Sequence, residues 1–145
     1  MEQQRCDMCN RWDEEELLQI YSFPHSYVLL NRDQRYPGYC LMITKKHVTE
    51  LFHLTSDERS RMIEDFSLVA GCIAKEFGAT KMNYELLGNM VAHIHWHLIP
   101  RKAGDEVWPR PVWSESLEPV LLQDQAYRER CRIIREAIEE AVRGI

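Results

Sequence analysis

His93-Ile94-His95-Trp96-His97 is the stretch on which the fold turns: three of the chain's six histidines fall within five residues, at alternate positions. A β-strand sends successive side chains to opposite faces. The spacing therefore predicts a strand over Ala92–Pro100 with His93, His95 and His97 on one face. Ile94, Trp96 and Leu98 lie on the other, which belongs in a core against a helix. Three buried imidazoles would each need hydrogen-bond partners, so the histidine face is expected to look into a cleft or solvent.

Imidazole titrates near neutrality. A neutral ring can attack phosphorus while a protonated neighbour donates to the phosphate or leaving group. Spaced at roughly 7 Å by the strand rise, three rings could take separate roles. His-x-His on a strand is equally a metal-ligand arrangement. From spacing alone, nucleophilic catalysis and metal ligation both stay open. Incidental surface histidines are the third reading, and the alternation against an apolar face disfavours them.

Working outward, Glu16–Phe23, Ser26–Leu30 and Tyr39–Thr44 read as three strands from their aromatic and β-branched content. Pro24 separates the first pair, and the Asn-, Pro- and Gly-containing stretch from Asn31 to Gly38 separates the second. Lys81–Leu87 is a fourth strand and the histidine stretch a fifth. Thr55 and Glu58 are spaced as a capping box, followed by Met62, Ile63, Phe66, Val69, Ala70, Ile73 and Phe77 at helical spacing. Gly78 stands where that helix should be capped. A second helix is predicted over Gln123–Arg143, with Tyr127, Cys131, Ile134, Ile138 and Val142 on one stripe. Pro109, Pro111 and Pro119 make the intervening segment an extended loop. The expected architecture is one α+β domain over residues 1–145, an antiparallel sheet of about five strands with two main helices.

The 145 residues carry a net charge of -5, which argues against a general nucleic-acid binder. A local cluster can still hold a small phosphate ligand, and Lys45, Lys46, Arg101 and Lys102 are the candidates. No stretch has the apolar length of a membrane span. Met1-Glu2-Gln3-Gln4-Arg5 is polar, with no secretory signal. Five cysteines, three of them scattered singly, do not make a disulfide framework. A cytoplasmic protein is expected, with Cys40, Cys72 and Cys131 as packed core thiols. Cys6-Asp7-Met8-Cys9 is a Cys-x2-Cys pair that can present two thiolates to zinc, though the chain has no second such pair. The run Asp13-Glu14-Glu15-Glu16 reads as a solvated segment. Trp108 and Trp113 could rim a substrate site, cover a strand edge or build a dimer contact.

His93-Ile94-His95-Trp96-His97-Leu98-Ile99 resembles the motif of the histidine-triad (HIT) family, in which three histidines alternate with hydrophobic residues. The similarity extends to Asn31 through Pro37-Gly38-Tyr39, to Thr44-Lys45-Lys46-His47, to Asn83 and Gly88-Asn89-Met90-Val91, and to Pro100 through Asp105. It covers about residues 6–113 and leaves the C-terminal helix, about 123–143, outside. It implies an HIT-like fold and a nucleoside-phosphate hydrolase or nucleotidyl transferase that works through a covalent nucleotidyl-histidine. The middle histidine, His95, would be the nucleophile, with His97 contacting the phosphate and assisting the leaving group. Asn31 would bind the ribose hydroxyls. Asn83 and Asn89 would orient phosphate or ribose as neutral donors. Substrates of the dinucleoside polyphosphate or nucleoside phosphoramidate kind are implied, together with a homodimer. The sequence departs from the family at Asn89, where many members have Gln, and at Met90, where Ser or Thr is common. Met90 cannot donate a proton, which leaves room for a non-catalytic nucleotide-sensing module. Some relatives, including the galactose-1-phosphate uridylyltransferase branch, bind a structural zinc near the N-terminus. The matching positions here are Cys6, Cys9, His47 and His93. A catalytic metal held by all three triad histidines is the remaining alternative.

Overall fold

A computed structural model describes residues 6–145; the polar opening segment, residues 1–5, lies outside the described residues. Five antiparallel strands form one sheet: β1 (Gln19–Ser22), β2 (Ser26–Leu30), β3 (Cys40–Thr44), β4 (Lys81–Glu85) and β5 (His95–Arg101), in the order β1-β2-β3-β5-β4. The histidine strand therefore lies between β3 and β4, paired on both sides, with Leu41 opposite His97, Ile43 opposite His95 and Glu85 opposite His97. The α+β architecture expected from the sequence is the one observed.

One face of the sheet is the core. The helices α2 (Ser56–Phe77) and α3 (Asp124–Arg143) bury Phe66, Val69, Ile73, Tyr127, Ile134 and Ile138 against Val28, Met42 and Leu98. Trp96 joins them, tilted on Phe66 at 4.8 Å, with its indole N–H directed at the Met62 sulfur. Helix α2 begins as its sequence predicts. The Thr55 hydroxyl accepts from the Glu58 amide while the Glu58 carboxylate accepts from the Thr55 amide. It ends at Gly78 in the left-handed conformation. The α3 stripe of Tyr127, Cys131, Ile134 and Ile138 is buried as expected.

Four boundaries differ from the sequence reading. Residues Asp7–Glu14 form a helix, α1, which the sequence reading did not include; it takes in Asp13 and Glu14 of the acidic run, both of them exposed. Its apolar pair Met8 and Trp12, four residues apart, packs on Leu29, Leu41 and Ile43, on the sheet face opposite the core. Glu16–Leu18 is then a tight 3-10 turn, so β1 starts only at Gln19. Strand β4 stops at Glu85 rather than Leu87. Strand β5 starts at His95 rather than Ala92, because the amide of Ile94 leaves the ladder to donate to the Val48 carbonyl. His93 therefore does not continue the strand, and its ring is not a third member of one row.

The connection between β2 and β3 is held by one buried residue. The Gln34 amide donates to the carbonyls of Asn31 and Tyr39, and its oxygen accepts from the Gly38 amide and Arg130. Gly38 has a φ of 93°, and a Cβ there would stand 2.6 Å from the Phe77 ring. Only glycine satisfies both conditions, and the turn it permits delivers Tyr39 to the histidine face.

Candidate active site and metal centre

Helix α1 lies over the histidine face of the sheet, and the chain after β5 crosses beside it. Between them is a cavity of about 410 Å³ lined by His95, His97, Asn31, Tyr39, Arg11 and Trp113, among others. His95 points its Nδ1 at the His93 carbonyl, 2.6 Å away. A carbonyl only accepts, so Nδ1 carries the proton and Nε2 is left with its lone pair. His97 places Nδ1 2.5 Å from the Tyr39 hydroxyl. Burial and the neighbouring His95 lower the His97 pKa to about 4. Burial, with Glu85 adding to it, pushes the Tyr39 phenol well above its ordinary range. Both rings are therefore uncharged at neutral pH. A phenol O–H donated into Nδ1 leaves the His97 proton on Nε2. The two neighbouring rings, 5.2 Å apart and inclined at 64°, then present one lone pair and one N–H.

His93 stands apart. It is buried, and its Nε2–H donates to the Thr44 carbonyl at 2.7 Å. It is not among the residues that line the cavity, and its Nδ1 lies 3.5 Å from the sulfurs of Cys6 and Cys9 and 3.2 Å from Nδ1 of His47. Cys9 and His47 are 3.2 Å apart, and all four donor atoms lie within 4.8 Å of one another. A tetrahedral zinc with bonds of about 2.3 Å to sulfur and about 2.05 Å to nitrogen has sulfur–nitrogen edges near 3.5 Å and nitrogen–nitrogen edges near 3.3 Å. Two thiols and two imidazoles at these separations fit such an ion, and they leave no fifth position for substrate. Burial lowers the His93 pKa against the opposing effect of the Thr44 bond, which keeps the ring in the neutral form a metal requires. Desolvation of its sulfur and the adjacent Cys6 thiol raise the Cys9 pKa. Two thiolates there need a cation between them.

The remaining sequence-predicted residues fall in different places. Asn31 lines the cavity, its side-chain amide donating to the Asp33 carbonyl at 3.1 Å. Asn83 is on β4 and outside the lining, with its side-chain oxygen accepting from Arg101 at 2.9 Å. Asn89 and Met90 are exposed on the loop before β5, also outside the lining. The basic residues proposed as phosphate ligands are not at the cavity. Arg101 is fully buried, held by both Asp105 oxygens at 2.7 and 2.8 Å, by Asn83 and by the Arg110 carbonyl, between the rings of Tyr36 and Trp108. It pins the chain after β5 in place, and its charge is spent on Asp105. Lys45 lies over the Tyr27 ring and Lys46 pairs with Glu58. The cavity's cations are instead Arg11 and Arg35, which the sequence did not single out.

Tyr39 and Trp113 were also not assigned roles beside His97. Tyr39 sits 58 residues away in sequence. Trp113 meets the His97 ring edge-on at 5.5 Å, 82° between planes, with its indole N–H bonded to Glu85. Trp113 lies at the cavity rim, one of the placements open to it, and its bond to Glu85 also reaches the edge strand β4.

The HIT domain family model matches residues 13–104, and the chain belongs to the HIT family. A histidine-triad protein from Sinorhizobium meliloti is 28% identical with a TM-score of 0.78, over 86% of this chain and 93% of that one. A zinc-bound HIT family protein from Mycobacterium smegmatis shares the fold at a TM-score of 0.70 and 20% identity, covering 97% of each chain. The asymmetrical bis(5'-nucleosyl)-tetraphosphatase of Schizosaccharomyces pombe is 32% identical over 101 residues, 66% of this chain and 56% of that enzyme. A nitrilase and fragile histidine triad fusion protein of Caenorhabditis elegans is 31% identical over 91 residues, and the match spans 21% of its length. No helix among the described residues is long and apolar enough to cross a membrane.

The depressed His97 pKa has a measurable consequence. The unfolded chain takes up this proton near the ordinary 6.5, the folded chain only near 4. Stability contributed by neutral His97 is full above about 6.5 and is lost as the pH falls toward 4. In an NMR titration of the imidazole carbons, the His97 ring should remain neutral at pH 5.5. A midpoint at 6.5 or higher would contradict the buried, phenol-bonded ring.

Proposed function

We propose that the chain is a nucleotide hydrolase or nucleotidyl transferase working through a covalent nucleotidyl-His95. The observation that carries this is the His95 Nδ1 bond to the His93 carbonyl, which leaves Nε2 as a nucleophile at a cavity of nucleotide size. Nε2 attacks the α-phosphorus and the bond to the leaving group breaks, at a phosphate oxygen in a dinucleoside polyphosphate or at the amine nitrogen in a phosphoramidate. The neutral His97 ring donates a hydrogen bond from its Nε2–H to the phosphate and the departing group, and the departing group takes any proton it needs from water. Water, or another acceptor, then takes the nucleotidyl group and frees His95. Asn31 takes the ribose hydroxyls. Asn83 and Asn89 serve the phosphate as neutral donors, Asn89 reaching it from the loop before β5. The asymmetrical tetraphosphatase activity named for the yeast relative favours a dinucleoside polyphosphate, with a nucleoside phosphoramidate as the other substrate class. Incubation with diadenosine tetraphosphate or an adenosine phosphoramidate should give an adenylylated peptide containing His95 by mass spectrometry. His95→Ala should lose turnover by at least about a thousandfold while retaining nucleotide binding. Binding without any turnover by the unmodified protein would instead make it a nucleotide-sensing module.

Cys6, Cys9, His47 and His93 are proposed to hold one structural zinc, supported by the tetrahedral edge lengths and the Thr44 bond that sets the His93 tautomer. Bound there, the ion supplies a cross-link between α1 and the start of β5, and no reactive position. Purified protein should contain one zinc per chain by elemental analysis, and chelation should lower the melting temperature. Metal content unchanged by Cys6→Ser with Cys9→Ser would sink the assignment.

A homodimer is proposed through β4, an edge of the sheet flanked by exposed Tyr84 and Ile63. Light scattering should give twice the chain mass, falling to the monomer in Ile63→Asp/Tyr84→Lys; a wild-type monomer would exclude it.

A further inference from the structure

Helix α1 spans the histidine face from one end of the site to the other. It starts at Cys6, beside His93, and its last turn leads to Glu15, which pairs with Arg32 next to Asn31. Met8 and Arg11, one turn apart, both line the cavity. Met8 packs with Leu29 and Leu41 to make an apolar floor. Trp12, the residue after Arg11, stacks on Tyr27 at 4.6 Å with a 12° tilt, so the helix cannot turn Arg11 out of the cavity without breaking that contact.

The other charged groups at this cavity are already engaged. Arg35 is paired with Glu106 and donates to the Glu118 carbonyl. Asp33 accepts from the amides of Arg35 and Val120, and Glu115 pairs with Arg110. Among the described residues Arg11 has no side-chain hydrogen bond or ion pair. It is half-buried beside an apolar floor, with its donors free for a ligand.

We propose that Arg11 reads the base of the bound nucleotide and makes the cavity prefer guanine. Resting on the nucleotide function, the ribose lies at Asn31, the α-phosphate at His95 and the base over Met8 and Leu41. The group that then faces Arg11 is the base edge. A guanidinium offers two parallel donors, and guanine answers with two adjacent acceptors, O6 and N7. Adenine presents one acceptor beside an amino donor and cannot accept both bonds.

The test is calorimetric titration of the whole chain, as purified, with guanosine monophosphate and adenosine monophosphate. Guanosine monophosphate should bind roughly five- to a hundredfold more tightly, the range a bidentate arginine–guanine pair gives. In Arg11→Leu the ratio should fall to about one with zinc content unchanged. Arg11→Lys, which keeps the charge and loses the fork, should also lose most of the preference. Equal binding of the two nucleotides by the wild type, or a preference that survives Arg11→Leu, overturns the base assignment and leaves the nucleotide function intact. A preference kept in full by Arg11→Lys overturns it too, because the side chain would then act as a point charge. Binding of neither nucleotide overturns both.

Discussion

The His93 ring and the His93 carbonyl point in different directions, and the site depends on both. The carbonyl accepts from His95 and sets which nitrogen of that ring keeps its lone pair. The ring is fixed on one side by the Thr44 carbonyl and on the other faces two sulfurs and a second imidazole. A residue that faced solvent could wander by an ångström, and its carbonyl would wander with it. Catalytic geometry tolerates little of that. By leaving the strand, His93 serves both ends at once: its carbonyl reaches His95 while its ring reaches the cysteines at the start of α1.

That departure also explains what was and was not legible in the sequence. Strong local signals survived intact. The Thr55–Glu58 capping box and Gly78 bound α2 as predicted, and the α3 stripe buries as its spacing implies. Alternation located the face that carries His95 and His97, because those two are within β5. It overextended the strand to His93, since period-two spacing cannot show where a backbone amide leaves the ladder for Val48. Helix α1 was hidden for a different reason. Eight residues with one apolar pair are too few to nucleate alone. The helix is held by tertiary contacts of Met8 and Trp12, which no local pattern announces.

Side-chain roles were least legible where partners are distant in the chain. Arg101 follows the triad and looked like a phosphate ligand. Its partner Asp105 was visible four residues on, but the two rings that enclose it were not. A buried guanidinium needs such enclosure to offset its desolvation, and once enclosed it has nothing left for substrate. Tyr39 was part of a recognisable Pro-Gly-Tyr segment, yet only the fold shows its hydroxyl on His97. Proximity to the triad in sequence suggested chemistry for Arg101 and none for Tyr39, while the geometry assigns support to Arg101 and direct contact to Tyr39.

The same division bears on how one fold can change substrate without changing mechanism. His95, His97 and Tyr39 sit on strand β5 and at the start of β3, paired into the middle of the sheet, where a substitution disturbs the core as well as the chemistry. Arg11 and Trp113 are carried by α1 and by the chain after β5, elements laid over the sheet rather than woven into it. Their side chains can be exchanged at little structural cost. Selectivity is therefore expected to reside in this outer layer and reaction type in the inner one. The four-donor cluster joins the two at one point, since Cys6 and Cys9 belong to the outer layer while His93 leads directly into β5. An ion held by that cluster would fix the distance between helix α1 and the strand that carries His95 and His97.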